Sequence, residues 1–185
     1  MNFKLSNEIK NFIKKTESFQ KTAYYDSVGV LTIGYGHTGT DVYKGQTITL
    51  EQGEILFDKD INKFALKVQT LIGNTSLNQN QFDAIVSLAY NIGTGNLKKS
   101  TLLKKVKSNP NDTSIRNEFL KWNKARKKVL PGLTKRRIAE SNWYFGGGLD
   151  SNINLDDADF QYNTTIPTIN NTWKRSYDDF NPNIA

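Results

Sequence analysis

The sequence predicts an α+β fold that is mainly helical. Apolar residues recur at helical spacing over most of residues 5–145, and one short stretch near the N-terminus alternates strictly between apolar and polar. The 185 residues are enough for one domain with a sizeable core, and there is no cysteine to form a disulfide or a thiol nucleophile. His37 is the only histidine, so carboxylates are better candidates for catalysis than a Ser-His-Asp triad or a metal centre.

The chain begins with a predicted helix and a predicted β-hairpin. Leu5, Ile9, Phe12 and Ile13 have the spacing of an amphipathic helix, which we expect to end near Lys15. From residue 23 to residue 35 the pattern changes to alternation around a turn at 27–29, which predicts two antiparallel strands.

The remaining elements are predicted to be helices. Thr49 and Gln52 form a capping box, and Asn78 caps a second helix that is apolar enough to be central and buried as far as Ile92. Three shorter helices are predicted over residues 100–107, 113–124 and 134–145, separated by turns at 109–112 and 131–132. The helix that begins at the Thr49 capping box is predicted to end at Gly73. Its predicted buried stripe comprises Leu50, Phe57, Ile61, Phe64, Val68 and Leu71.

A change of composition after the three glycines at 146–148 predicts a domain boundary. Residues 1–148 carry 23 Lys and Arg against 12 Asp and Glu, whereas residues 149–185 carry 2 against 6. We therefore expect a basic catalytic domain over 1–148 and an acidic, polar, partly disordered extension over 149–185. An alternative is that a terminal helical turn docks on the basic body or on a partner, because apolar residues recur there at helical spacing: Ile169, Trp173, Tyr177 and Phe180.

The basic body favours polyanionic partners, which include nucleic acid, anionic membranes and the anionic bacterial envelope. Nucleic acid is the less favoured partner, because the sequence has no zinc-finger spacing, aromatic RNA-binding signature or phosphate-binding glycine loop. The N-terminus does not have the pattern of a cleavable signal peptide, and no apolar run approaches the roughly 20 residues of a membrane-spanning helix. We expect a monomer that another agent releases from the cytoplasm.

Three residues near the N-terminus are candidates for the hydrolysis of a glycosidic bond. Such hydrolysis uses two carboxyl groups, one to protonate the leaving oxygen and one to act on the opposite side of the sugar. Glu17, with apolar side chains nearby in sequence, suits the acid. If the hairpin is centred on Gly29, Asp26 and Thr32 face each other across the strands and hold a water molecule between them.

Each candidate also has a purely structural interpretation. Glu17 also fits an ordinary exposed glutamate near the end of a helix. Asp26 fits the first position of a type I turn, and Thr32 fits a strand. His37, beside a glycine-rich bend, is expected to be a hydrogen-bonded structural residue.

A longer segment resembles the signature of the phage lysozymes. It runs Ala23-Tyr24-Tyr25-Asp26-x-x-Gly29-x-x-Thr32-Ile33-Gly34-Tyr35-Gly36-His37-Thr38, and weaker similarities follow in order over roughly residues 5–146. The resemblance implies a small lobe with a catalytic cleft, joined by a long helix to a helical lobe. It also implies that Glu17 is the general acid, that Asp26 and Thr32 position the attacking water, and that the anomeric carbon is inverted, without a cofactor or a metal.

The resemblance further implies the substrate, which is the β-1,4 bond between N-acetylmuramic acid and N-acetylglucosamine in bacterial peptidoglycan. One departure is Ser18, where the family usually has glycine after the catalytic glutamate. Arg136 and Arg137 are kept out of the predicted catalytic set, because Arg136 has the spacing of a surface pair with Glu140. The alternatives are a lytic transglycosylase, which forms a 1,6-anhydro product, and a non-catalytic cationic protein that binds walls or membranes.

Overall fold

The computed structural model describes residues 4–26, 29–125 and 127–149, and it confirms a mainly helical α+β fold. A three-stranded sheet lies near the N-terminus, and a two-stranded hairpin lies between the last helices. The elements in chain order are α1 (Asn7–Glu17), β1 (Gln20–Tyr25), β2 (Leu31–Gly34), β3 (His37–Thr38), α2 (Leu50–Ile72), α3 (Gln79–Ile92), α4 (Thr94–Lys99), α5 (Thr101–Ser108), α6 (Ile115–Leu120), β4 (Lys124–Ala125), β5 (Lys128–Val129) and α7 (Pro131–Tyr144).

Helix α1 is longer at its C-terminal end than its apolar stripe predicts. Ser6 caps it by accepting a hydrogen bond from the Ile9 N–H, and the Ser18 N–H donates to the Lys14 carbonyl at the other end. Glu17 is therefore the last residue of the helix rather than a residue beyond it. The final turn is held by backbone hydrogen bonds, which an apolar pattern does not reveal.

The predicted hairpin is present and gains a third strand. Strands β1 and β2 pair antiparallel, with Tyr24 opposite Thr32 and Tyr25 opposite Leu31. Strand β3 pairs with β2 through Thr38 and His37, and it has only two residues. The alternation pattern does not predict it, because two residues are too few to show a period of two.

Helix α2 joins the sheet to the other helices and spans roughly 34 Å at 1.5 Å per residue. Both hydrogen bonds of the predicted capping box at Thr49 and Gln52 are present. The predicted buried stripe is wrong at Leu50, which is 57% exposed, because Gly53 is the residue of the first turn that faces inward. Phe64 and Leu71 are only partly buried.

Helix α3 is the buried centre of the fold, as its composition predicts. Every residue from Gln81 to Ile92 is buried. Helices α2 and α7 both pack against it, and α1 and α4 also contact it. The small sheet, the long helix α2 and the remaining helices thus form the small lobe, connecting helix and helical lobe that the resemblance implies.

The short elements of the helical lobe differ from the prediction. Helix α4 precedes α5 and is not predicted, and α6 ends at Leu120 instead of continuing to residue 124. The hairpin of β4 and β5 follows α6. Helix α7 begins at Pro131, three residues before the predicted start, because proline is well suited to the first turn of a helix.

Two apolar clusters form the interior, and Phe19 packs against both of them. The larger cluster fills the space between the helices, and the smaller one consists of Ile33, Val42 and Ile48 behind the sheet. The Phe19 ring also contacts the Tyr35 ring, with 5.5 Å between their centroids. The side chain that follows Glu17 and Ser18 therefore connects the small lobe to the helical interior.

The predicted domain boundary after residue 148 stays a prediction, but the packing of the chain just beyond the three glycines is described. Leu149 still packs against the larger cluster, so the packed body extends at least one residue past the three glycines. The predicted extension over 149–185 otherwise lies outside the described residues. Within the described ranges, no helix combines the length and the apolar content that crossing a membrane requires.

We predict that Gly53→Ala destabilises the protein, although alanine usually favours a helix over glycine. A Cβ atom at residue 53 would collide with the Phe19 ring, and moving the ring aside would disturb its packing against both clusters. The expected loss in the free energy of unfolding is about 1–3 kcal/mol, measured by urea denaturation. A gain of stability would show that the ring can move aside.

Candidate active site

Glu17 lies at the junction of α1 and the sheet, and an arginine of α7 holds it there. Arg136 Nη1 donates to Glu17 Oε1 over 2.6 Å. The Glu17 side chain is 18% exposed, whereas Arg136 is 6% exposed. The sequence suggested apolar surroundings for this carboxylate, but its closest charged neighbour is a buried guanidinium.

Arg136 belongs to a buried network between α3 and α7. Glu140 Oε1 accepts hydrogen bonds from Ser87 Oγ, Arg136 Nε and Arg137 Nη2 at 2.7, 3.1 and 2.9 Å. Burial opposes the charge on Arg136, but the attraction of Glu17 and Glu140 outweighs it and raises the pKa of Arg136. Glu140 therefore fixes the guanidinium that in turn orients Glu17.

The prediction that Arg136 and Glu140 form a surface pair is correct for the pairing and wrong for its exposure. The two residues do form an ion pair at i, i+4, but Glu140 is completely buried and Arg136 nearly so. The pair faces inward because Ser87 and Glu17, distant in sequence, supply its other partners. Helical spacing alone does not distinguish the two faces of α7, and Arg136 is the site residue that the sequence analysis left out.

Asp26 and Thr32 lie on the hairpin and are linked by the backbone of Val30. Asp26 Oδ1 accepts a hydrogen bond of 2.7 Å from the Val30 N–H. The Val30 carbonyl accepts from the Asp26 N–H at 2.9 Å and from the Thr32 hydroxyl at 3.1 Å. Thr32 is 3% exposed and Asp26 is half-buried.

The expected pairing of Asp26 directly opposite Thr32 is wrong. The observed register places Tyr24 opposite Thr32, and Asp26 is bonded to Val30. Asp26 and Thr32 are still on the same face of the hairpin, but as diagonal neighbours, for which a separation of about 7 Å is typical. The error comes from centring the hairpin on Gly29, since a shift of the centre by one residue changes every cross-strand partner.

Ser18 has the backbone conformation of a glycine. Its φ and ψ are 58° and 152°, a combination that residues with a side chain rarely adopt. The conformation turns the chain sharply between Glu17 and β1. The departure from glycine at this position therefore leaves a strained serine beside the candidate acid.

His37 is buried and hydrogen-bonded, as expected for a structural histidine. Its Nδ1 lies 2.6 Å from Asp60 Oδ2 on α2, and its Nε2 lies 3.2 Å from Asp41 Oδ2. The hydrogen bond to Asp60 raises the pKa of His37, although burial acts in the opposite direction. His37 thus attaches strand β3 to the long helix. Among the described residues, no group of three His, Asp or Glu side chains is arranged to hold a metal ion.

A small sheet lobe, a long connecting helix and a carboxylate at the end of the first helix define a lysozyme-like protein. The model of the Phage lysozyme family matches residues 14–140, and the chain belongs to that family. The match includes Glu17, Asp26, Thr32 and Arg136.

Similar proteins are phage endolysins and a muramidase domain. The chain is 43% identical over 139 residues to an endolysin of Bacillus phage B103, covering 74% of this chain but 52% of that protein. The chain thus spans about half the length of that relative. The endolysin structure from Escherichia coli O157:H7 phage FAHEc1 is 34% identical with a TM-score of 0.69, covering 79% of this chain and 96% of that one. The muramidase domain of SpmX from Asticaccaulis excentricus is 31% identical with a TM-score of 0.72, covering 77% and 98%.

We predict that Ser18→Gly stabilises the protein, because glycine adopts this conformation without the steric cost of a Cβ atom. The expected gain in the free energy of unfolding is about 1–2 kcal/mol. Ser108→Gly, at an exposed position of α5, should instead lose up to about 1 kcal/mol. Losses at both positions in urea denaturation would mean that Ser18 is not strained.

We predict that His37→Asn destabilises the protein more at pH 6 than at pH 9. Because the folded-state pKa of His37 is raised, its ion pair stabilises the fold fully below the unfolded value of about 6.5, and this stabilisation is lost as the pH rises through the folded value. Removing one partner of a buried pair costs about 3 kcal/mol when both are charged.

The control for this experiment is Ile33→Val in the smaller cluster, whose loss of about 1 kcal/mol should be the same at both pH values. An equal loss for His37→Asn at pH 6 and pH 9 would show that the charge on the histidine does not contribute.

Proposed function

We propose that this protein is a muramidase, which hydrolyses the β-1,4 bond between N-acetylmuramic acid and N-acetylglucosamine in bacterial peptidoglycan. The observation that carries the proposal is the placement of Glu17, held by a buried arginine at the end of α1, in a chain of the phage lysozyme family. The proposed substrate is the glycan strand, which the enzyme reaches after another agent releases it from the cytoplasm.

Glu17 is the proposed general acid. Arg136 donates to one carboxyl oxygen, Oε1, and leaves Oε2 without a contact to the guanidinium. A proton on Oε2 is then directed toward the leaving oxygen of the glycosidic bond. As that proton is transferred, the bond between the anomeric carbon and the leaving oxygen breaks and Glu17 becomes a carboxylate.

Asp26 and Thr32 are the proposed residues that position the attacking water. The Thr32 hydroxyl donates a hydrogen bond to the Val30 carbonyl. Its oxygen is therefore left to accept a hydrogen bond from water. The Asp26 carboxylate accepts the second hydrogen of the same water and takes up that proton during the attack. A water molecule held by both hydrogens directs a lone pair at the anomeric carbon, and a single displacement of this kind inverts the carbon.

The diagonal placement of Asp26 and Thr32 fits this role. A diagonal pair is farther apart than a directly opposed pair, and the separation of about 7 Å that is typical of it also leaves room for a water molecule. The backbone of Val30 holds both residues, so their separation depends on the hairpin and not on flexible side chains.

We predict that Glu17→Gln lowers the release of reducing ends from purified peptidoglycan at least about 100-fold, which is the usual contribution of a general acid. The amide oxygen of glutamine still accepts from Arg136, so the fold should survive. Glu8→Gln, an exposed change of equal charge on the same helix, should retain full activity.

Equal release by wild type and Glu17→Gln would exclude Glu17 from the mechanism. Mass spectrometry of the products separates the related chemistries, since a lytic transglycosylase gives an anhydro product lighter by one water. If Glu17→Gln still lyses cells as wild type does, the protein acts through its charge on membranes.

A further inference from the structure

The helical lobe carries a dense group of cations that the proposed hydrolysis does not use. Residues 98–128 contain 11 Lys and Arg but only 2 Asp and Glu. We call the exposed lysines of α4, α5 and the β4–β5 hairpin the basic surface, which comprises Lys98, Lys99, Lys104, Lys107, Lys124, Lys127 and Lys128. Among the described residues, none of these seven has a carboxylate within ion-pairing distance, whereas Lys10 and Lys14 of α1 each have one.

A pocket of about 350 Å³ opens beside α4, α5 and α6, and Lys99 of the basic surface lines it. Its wall combines two lysines with hydroxyl, amide and indole groups, and its lining residues are Asn96, Lys99, Ser100, Thr101, Glu118, Lys121 and Trp122. None of the three proposed catalytic residues lines it. The pocket is therefore separate from the proposed catalytic residues.

The one carboxylate in the pocket wall is already neutralised. Glu118 is 5% exposed, and its oxygens lie 3.2 Å from Lys105 Nζ and 2.8 Å from Lys121 Nζ. These ion pairs lower the pKa of Glu118 despite its burial, which keeps the carboxyl ionised and the two lysines in place. Lys99 remains as the cation of the wall without such a partner, so the pocket favours an anionic group.

The extent of the basic surface indicates what kind of anion it fits. A single carboxylate or phosphate would occupy the pocket alone and leave the lysines of α5 and the hairpin without a function. A linear polymer with regularly spaced charges contacts many lysines at once and gains free energy by releasing its counterions. The neutral hydroxyl and amide groups of the pocket suit the oxygens of a phosphodiester and of the polyol units between phosphates.

We propose that the basic surface and its pocket bind a polyol-phosphate polymer of the bacterial wall, the chemical class of the teichoic acids. This inference rests on the proposed function, because it assumes that the protein works within the wall. Binding the polymer would keep the enzyme beside the glycan strands between successive cleavages.

The test measures binding of the Glu17→Gln variant, which does not depend on catalysis. Its probes are purified poly(glycerol phosphate), and walls before and after hydrofluoric acid removes their polyol phosphates. We expect removal of the polymer to weaken binding to walls at least tenfold. The variant with Lys98, Lys99 and Lys124 changed to glutamine should bind intact walls at least tenfold more weakly and stripped walls unchanged.

A matched control separates a specific surface from net charge. Changing Lys44, Lys59 and Lys67 to glutamine removes the same charge from exposed positions before and within α2. This control should bind intact walls as the parent does. The slope of log affinity against log salt concentration should become less steep by about 2 for the variant of the basic surface and should not change for the control.

Two results would overturn the proposal. One is an equal loss of binding in both triple variants, which would mean that net charge alone attracts the wall. The other is undiminished binding to stripped walls with competition by short anionic muropeptides, which would assign the pocket to stem-peptide carboxylates. Hydrolysis of stripped peptidoglycan by the wild type tests the proposed function separately, because it needs no polymer.

Discussion

The position of the candidate acid depends on a buried ionic network in α7, in which Glu140 pairs with Arg136 and Arg137, and Arg136 in turn contacts Glu17. Glu140 and Arg137 are completely buried, and their side chains lie 2.9 Å apart. Buried charges are tolerated only when they are paired, and removing one partner typically costs about 3–5 kcal/mol. Because this network contacts Glu17 of α1 and Ser87 of α3, the position of Glu17 is fixed by the packing of the helical lobe and not by its own helix alone.

The two halves of the candidate site are built by different kinds of contact. Glu17 is held by Arg136, a residue 119 positions away in the chain. Asp26 and Thr32 are held by Val30, which is four and two positions away. The position of Glu17 therefore requires the completed tertiary fold, whereas the arrangement of Asp26 and Thr32 requires only a formed hairpin. A single strained residue, Ser18, separates the helix that ends in the acid from the segment leading into the hairpin.

This difference also explains how much could be predicted from the sequence. The predicted capping box at Thr49 and the predicted cap at Asn78 gave the starts of α2 and α3 correctly, because a cap depends on residues only three positions apart. Glu17, Asp26 and Thr32 were chosen by their spacing and their resemblance to a known pattern, and their roles stay predictions. The cross-strand register and the buried face of Arg136 could not be predicted, since each depends on partners that are distant or on a turn centre that the pattern leaves open.

The elements that were missed are short or interrupt a longer pattern. Helix α4 and the hairpin of β4 and β5 have too few residues to show a period, and α6 ends well before the point at which its sequence stops looking helical. The prediction also placed Leu50, and not Gly53, on the buried face of α2. Glycine has no apolar side chain, so the hydropathy pattern does not mark it as buried. Its place is set by the ring of Phe19, which needs a helix surface without a side chain.

Because the Phe19 ring belongs to both apolar clusters, the sheet and the helices do not have independent interiors. Withdrawing the ring from either side opens a void in the other, and the lost contacts are not replaced. The two parts of the molecule are in this respect one cooperative folding unit. A movement of the sheet relative to the helices therefore changes the packing of this one ring against both clusters.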